Sequence, residues 1–369
     1  MKKILFTIYS YSLGGGAEKI LSNVVNGLAE KTDYEISVLQ YADFGVKTEK
    51  TDDRVKILKP VVDMNNSSKA EKIFKYFLVH FCPFILRKRY IKEKYDVEIA
   101  FNYQIPSFLT SSGNGVYNVQ WNHGDIYDLK KKRFKRYLQK ISYKKADKIV
   151  SISKNTNASI LELFPEFHKK LCTVYNGTKV DAIIEESNKP TVLKLKENSI
   201  VFLGRLEPNK NPLKLVKYTE RLIKEGFDIN LYLLGSGVQE KEIADYIDNA
   251  KLTDRIKMLG YVKEPYPIIK QSSAVCMLSE NEGFPTVFTE GMALGKPFIS
   301  SYVGGVEELS DNGKCGIIVN NYEEFRQAVI NVVLDTENNN KMENNCNEHI
   351  KLFSYDKQIS EIINLIEKV

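Results

Sequence analysis

Short apolar runs rich in β-branched residues alternate with stretches whose apolar positions recur every three to four residues, and the alternation runs through the chain twice. KILFTIY (3–9) ends in SLGGG and passes into AEKILSNVVNGLAE, where Ile20, Leu21, Val24, Val25 and Leu28 share one helical face. YEISVLQY (34–41), VEIAF (97–101), YNVQWNH (117–123) and KIVSIS (148–153) read as further strands. The pattern restarts at SIVFLGRL (199–206), followed by a helix at PLKLVKYTERLIKEGF and a strand at INLYLLGSG (229–237). RIKMLGY and SSAVCMLSE are strands, and TVFTEGMALG, KPFISSYVGG and CGIIVN are helix, strand and strand. Such alternation calls for parallel sheets covered by helices on both faces, since parallel neighbours need a crossover long enough to hold a helix. A chain of 369 residues exceeds one ordinary core. Two α/β domains are expected, 1–187 and 196–353, divided within the polar segment EESNKPTVLKLKEN (185–198), with a last helix in 354–369.

Charge is unevenly spread. The first 190 residues carry 32 Lys/Arg against 21 Asp/Glu, the remainder 21 against 26. A basic first half suits an anionic partner: phosphate, membrane surface or nucleic acid. Five scattered cysteines without CxxC spacing argue against a disulfide framework or zinc site and suit reduced thiols in a cytoplasmic protein. The opening MKKILFTIYSYSLGGG imitates a signal peptide but lacks a small-residue cleavage pattern, and reads as a first buried strand. IFKYFLVHFCPFIL (73–86) is shorter than the ~18–20 residues that span a bilayer and contains Lys75 and His80. The stretches 72–94 and 129–148 mix cations with bulky apolar residues. They are either solvated helix faces or an attachment to the anionic inner leaflet, where each cation contributes about 1 kcal/mol. Nothing resembles a nucleic-acid module, so no nucleic-acid partner is expected.

Three loops carry the chemistry. In GGGAEK (14–19), glycines between strand and helix allow either a tight turn or the close approach of an anion to free N–H groups. In FLGRLEPNKN (202–211), Arg205 and Lys210 are five apart after a strand end that includes Gly204. They suit a diphosphate, as fork and point charge, or are solvated loop cations. LLGSG (233–237), with Gly235, is a weaker echo. In ENEGFPTVFTEG (280–291), Pro285 suits a first helical turn, which leaves Glu282 in the loop and Glu290 one turn into the helix. Carboxylates accept from vicinal hydroxyls while backbone N–H groups hold phosphate, a division of labour that fits a nucleotide sugar. Glu290 equally fits an acid near a helix start.

ENEGFPTVFTEGMALGKPFISSYVGGVEEL resembles the Glu-x7-Glu donor segment of the retaining family 4 glycosyltransferases. GGGAEK, VSISK, VYNGTKVD, FLGRLEPNKN, LLGSG and MLGYV resemble that family's other landmarks in the same order, from about residue 3 to 320. The resemblance implies the GT-B fold, two Rossmann-like doubly wound domains facing a central cleft, with the last helix crossing back to the first domain. It implies that Glu290 holds the ribose diol and Glu282 faces the transferred sugar. Gly283, Phe284, Pro285, Thr286 and Val287 would then line sugar and phosphate, and Arg205 and Lys210 would meet the diphosphate. Gly15, Gly16, Gly204 and Gly235 would approach the donor, Tyr261 and Val262 the base, and His123 the donor sugar. Asn122 and Asp125 stand on the acceptor side, Asp125 being equally a helix cap. The implied activity is retaining transfer of a hexose or N-acetylhexosamine from a UDP-sugar to a glycan or lipid-linked acceptor, without metal; no Asp-x-Asp pair occurs. Same-face attack and double displacement through Glu282 are both open, the first fitting Glu282 better. The competing readings are a noncatalytic nucleotide-sugar binder and a sugar-nucleotide epimerase on the same fold.

Overall fold

The computed structural model describes residues 1–13, 15–46, 50–113 and 116–368; Gly14 of the glycine motif lies outside them. Contacts divide the chain into two units, Met1–Tyr175 with Gln358–Val369, and Asn176–Lys357.

In the first unit the strands are β1 (Lys3–Ile8), β2 (Glu35–Gln40), β3 (Ala42–Asp43), β4 (Lys56–Ile57), β5 (Val62–Asp63), β6 (Val97–Ala100), β7 (Tyr117–Asn122), β8 (Lys148–Ser151) and β9 (Leu171–Thr173). Seven of them form a parallel sheet in the order β4-β2-β1-β6-β7-β8-β9, and β3 pairs with β5. Its helices are α1 (Gly16–Lys31), α2 (Lys69–Phe81), α3 (Pro83–Tyr90), α4 (Ile105–Thr110), α5 (Arg133–Lys145) and α6 (Lys154–Leu163). The apolar runs found in the sequence are central strands buried on both faces: Ile4, Leu5, Phe6, Val97, Ile99 and Val119 are fully enclosed. Glu98, equally enclosed, is held by the Arg87 guanidinium, whose Nη1 donates to it at 2.6 Å, and this pair ties α3 to β6.

The second unit holds α7 (Val180–Ser187), β10 (Ser199–Leu203), α8 (Pro212–Lys224), β11 (Asn230–Leu234), α9 (Glu240–Asn249), β12 (Ile256–Gly260), α10 (Tyr266–Ile269) and β13 (Ala274–Met277). There follow α11 (Thr286–Met292), β14 (Phe298–Ser300), α12 (Val306–Ser310), β15 (Gly316–Ile318), α13 (Tyr322–Val329) and α14 (Thr336–His349). Its parallel sheet runs β12-β11-β10-β13-β14-β15. The final helix, α15 (Tyr355–Glu367), groups with the first unit from Gln358 onward. Ile359, Ile362 and Ile366 are buried there, and Lys2 donates to the Ile366 carbonyl at 3.0 Å.

The sequence suggests a division within 185–198, whereas the chain changes unit at Tyr175. α7 packs on α10, and Lys189 pairs with Glu264 at 2.6 Å. A polar run reports exposure to water, not a change of packing partner, so it marks the turn after α7 and not the crossing before it.

Candidate active site

Each main sheet reverses its strand order once. In the second, β10 lies between β11 and β13, so the chain leaves it in opposite directions and the loops after β10 and β13 flank a crevice at the carboxyl edge. These two loops carry FLGRLEPNKN and ENEGFP. Parallel pairing of Ile200 with Ala274 and Val201 with Val275 sets the strand ends side by side. The loops are then stitched together. Glu280 N–H donates to the Asn209 carbonyl at 2.8 Å, and Asn211 Nδ2 donates to the Leu278 carbonyl at 3.0 Å. Asn211 adopts the left-handed region (φ 51°), which Asn tolerates, and hands the chain to Pro212 at the start of α8.

Lys210, just before this turn, donates to the Glu282 carboxylate, whose Oε1 also accepts from Ser279 Oγ at 2.9 Å. Both members of the pair are mostly buried, with 18% and 13% of their side chains exposed. Arg205 behaves differently. Its guanidinium is 70% exposed and donates to Glu207 at 2.6 Å. The structure therefore brings one of the two expected cations to the 282 turn, because the short helical turn at Pro208–Lys210 re-aims the loop between them.

Pro285 precedes α11 and Thr286 opens it, as the proline predicts. Thr178 donates to Thr289 Oγ1 at 2.6 Å and Thr289 in turn to the Thr286 carbonyl at 2.8 Å, which fixes α11 to the start of its own unit. Phe284 and Val287 are buried, while Glu282, Gly283, Thr286 and Glu290 stay partly accessible. Tyr266 lies near Glu290; burial first, then the carboxylates of Glu290 and Glu186, hold its phenol above the ordinary range. Gly304 is a residue the sequence reading passed over. Its N–H donates to the Glu282 carbonyl at 3.1 Å, and a Cβ there would lie 2.6 Å from that oxygen, so only glycine lets this loop clamp the turn. The paired glycines of YVGG were its signal.

The glycines of the neighbouring loops serve each other. Gly204 N–H donates to the Leu234 carbonyl at 3.0 Å, and a Cβ on Gly235 would sit 1.8 Å from the Gly204 carbonyl oxygen. The close approach read from LLGSG is thus accounted for by the adjacent loop. Beyond β12, Tyr261 is exposed and Val262 partly buried.

In the first unit Gly15 precedes α1 and Gly16 opens it; a Cβ on either would meet nothing within 4 Å, so the chain's own packing does not demand them. Glu18, also unforeseen, is buried and accepts from Leu13 N–H at 2.9 Å, which folds the glycine loop onto the helix start. An acid in the third helical position was its signal. His123 follows β7, with its ring parallel to Trp121 at 6.0 Å and tilted on Phe101 at 4.3 Å. Burial pushes its pKa down to about 3, so the imidazole is neutral near pH 7, and its Nε2 has no hydrogen-bond partner. Asn122, expected on the acceptor side, is fully enclosed: it accepts from Tyr143 Oη at 2.7 Å and donates to the Val150 carbonyl at 3.2 Å. A strand covered on both faces leaves it no route to an acceptor. Asp125 accepts from Tyr127 N–H at 3.2 Å, which closes a local turn; the helical turn that follows is entered at Ile126, so Asp125 is not its cap. Among the described residues no three His, Cys, Asp or Glu side chains are grouped to hold a metal ion. A hollow of about 470 Å³ elsewhere in the second unit, around Thr178, Ile350 and Tyr355, includes none of these residues.

Two doubly wound parallel sheets, the second with an ion-paired loop at its strand-order reversal, define a GT-B glycosyltransferase fold. Residues 183–349 match the family model described as glycosyl transferases group 1. Over those residues the chain is similar to that group. It is 26% identical over 380 aligned positions, covering 100% of this chain and 99% of the relative, to a Campylobacter jejuni enzyme named GalNAc-alpha-(1->4)-GalNAc-alpha-(1->3)-diNAcBac-PP-undecaprenol alpha-1,4-N-acetyl-D-galactosaminyltransferase. It is 29% identical over 208 positions, covering 53% of this chain and 54% of the relative, to an Escherichia coli UDP-Gal:alpha-D-GlcNAc-diphosphoundecaprenol alpha-1,3-galactosyltransferase. The solved structure of Anabaena Alr3699/HepE with UDP superposes with a TM-score of 0.76 at 16% identity, all of both chains being covered.

Proposed function

We propose that this glycosyltransferase moves a hexose or N-acetylhexosamine from a UDP-sugar to a hydroxyl of a lipid-linked glycan during surface-polysaccharide synthesis. The observation that carries the proposal is Lys210 turned onto Glu282 at the strand-order reversal of the second sheet. Relatives named for UDP-galactose and for undecaprenol-linked acceptors support the choice of donor and acceptor.

Breaking the C1–O bond builds negative charge on the departing diphosphate. The Lys210 ammonium and the backbone N–H groups of Gly283, Phe284, Thr286 and Val287 oppose that charge; one well-placed donor contributes about 3–4 kcal/mol to such a step. In this mechanism Lys210 exchanges Glu282 for a phosphate oxygen, and Glu282 is released to the hydroxyls of the transferred sugar. Arg205, exposed and on the same loop, swings from Glu207 to the diphosphate. Glu290 takes the ribose diol, and Tyr261 and Val262 meet the base. Acceptor attack on the same face, with the leaving phosphate taking the proton, needs no carboxylate nucleophile and leaves Glu282 in its sugar-binding role. Cations and N–H groups supply the electrostatics, so transfer proceeds without metal. The basic stretches 72–94 and 129–148 meet an anionic membrane carrying the acceptor.

Thermal stabilisation by a panel of UDP- and GDP-sugars, followed by turnover on a diphospholipid-linked sugar, tests this reading. UDP-sugars should stabilise the protein, Glu290→Ala should weaken that effect, and a chelator should leave turnover intact. Stabilisation by GDP-sugars alone would contradict the donor assignment, and loss of turnover on chelation would contradict the metal-free scheme.

A further inference from the structure

Two helices of the first unit turn apolar stripes outward. On α2, Ile73, Phe74, Phe77 and Phe81 follow helical spacing; on α5, Phe134, Tyr137 and Ile141 do the same. These side chains are between 38% and 61% exposed, although α2 already seats Leu78 and Val79 in the core. The stripes are continuous. Phe77 stacks on Phe81 at 4.5 Å, and Phe81 stacks across the helices on Phe134 at 5.3 Å. Phe84 and Ile85 of α3 extend the ridge. Between the helices lies an open hollow of about 280 Å³, walled by Phe81, Phe84, Phe108, Leu138 and Ile141 and edged by Lys145. His80 also lines it, and its Nε2 has no hydrogen-bond partner. Cations frame the apolar face: α5 carries six Lys/Arg between Arg133 and Lys145 and no acid.

A contiguous aromatic ridge in a frame where cations outnumber acids, Glu71 of α2 and Glu166 beside Lys140 being the acids paired there, matches the boundary between anionic headgroups and hydrocarbon. We infer that the α2–α3–α5 face inserts into an anionic phospholipid bilayer, its aromatic ridge below the headgroups and one acyl chain seated in the hollow. This deepens the lipid-linked acceptor reading and rests on it, but changes the nature of the attachment. Electrostatic contact alone is screened by salt; inserted aromatics are not.

The test uses the full chain with phosphatidylglycerol vesicles, phosphatidylcholine vesicles as the neutral control. Cosedimentation should favour phosphatidylglycerol. It should persist when salt rises from about 0.1 M to about 1 M, which shortens the screening length from roughly 10 Å to roughly 3 Å. Phe77→Ser with Phe81→Ser should lower partitioning at least about tenfold, a difference of about 1.4 kcal/mol. Phe84→Trp should place an indole that phosphatidylglycerol with brominated acyl chains quenches, whereas the buried Trp121 stays bright. Binding that vanishes at high salt and ignores the Phe77/Phe81 change overturns insertion in favour of surface charge. Lipid-free self-association abolished by that change overturns it in favour of a second copy. Transfer to a soluble, lipid-free acceptor analogue is measured in parallel. Turnover without vesicle binding sinks the insertion and spares the enzyme reading; vesicle binding without turnover does the reverse.

Discussion

Replacing Lys210 with alanine separates the two things that residue does. In the unliganded protein its ammonium neutralises Glu282, which otherwise keeps the Ser279 hydroxyl at 2.9 Å. Removing one partner of a fully buried pair costs about 3–5 kcal/mol. Here water reaches 18% and 13% of the two side chains, so about 1–3 kcal/mol is expected after screening. For a unit of this size that lowers Tm by roughly 2–12 °C. Adding Glu282→Gln removes the stranded charge and should recover most of the loss. Binding responds differently. A charge-assisted hydrogen bond to phosphate contributes about 1.5–3 kcal/mol, so both Lys210→Ala and the double variant should bind UDP roughly 10- to 150-fold more weakly. Calorimetric titration with UDP beside thermal melts of the wild type and both variants measures the two effects separately. A single variant that melts early yet binds UDP within about twofold of wild type would make Lys210 a strut and refute its role at the diphosphate.

Three further outcomes follow from the packing. Gly235→Ala forces a Cβ to within 1.8 Å of the Gly204 carbonyl oxygen unless the loops part; stability should fall by more than about 1 kcal/mol in urea, and UDP affinity should fall with it. Glu98→Ala strands the Arg87 guanidinium beneath α3, which should cost about 3–5 kcal/mol by chemical denaturation, much of it recovered when both residues become methionine. Acid should weaken the fold through histidines. His123 is depressed from 6.5 to about 3 and His80 is lowered, both by burial first. The His123 contribution is complete above pH 6.5 and is lost as pH falls from there toward 3, about 2 kcal/mol of it by pH 5, and the His80 contribution has the same sign. His123→Phe should flatten the dependence of the urea midpoint on pH between about 7 and 5.

The strands were legible because central parallel strands are buried on both faces and read as unbroken apolar runs. The start of α11 was legible because proline at 285 admits few alternatives. What sequence spacing could not convey was direction. Arg205 and Lys210 are interchangeable on paper; the turn at Pro208–Lys210 and the left-handed Asn211 send one to Glu282 and leave the other in solvent with Glu207. The glycines of LLGSG looked ready for a ligand, but only the register of neighbouring loops reveals that the Gly204 carbonyl fills the space over Gly235. IFKYFLVHFCPFIL was plainly apolar, yet its residues divide between two faces: Leu78 and Val79 enter the core while Phe74, Phe77 and Phe81 point outward. Glu18 and Gly304 act through contacts with a loop five residues back and a turn 22 residues upstream, neither of which composition or periodicity reports.

The central claim is that the two loops at the reversal of the second sheet hold the donor's diphosphate. Hydrogen–deuterium exchange of the intact protein with and without saturating UDP tests it most directly. Slowed exchange concentrated in residues 204–211 and 282–290 is the predicted result; saturation that leaves both segments exchanging as before, with protection elsewhere, would contradict it.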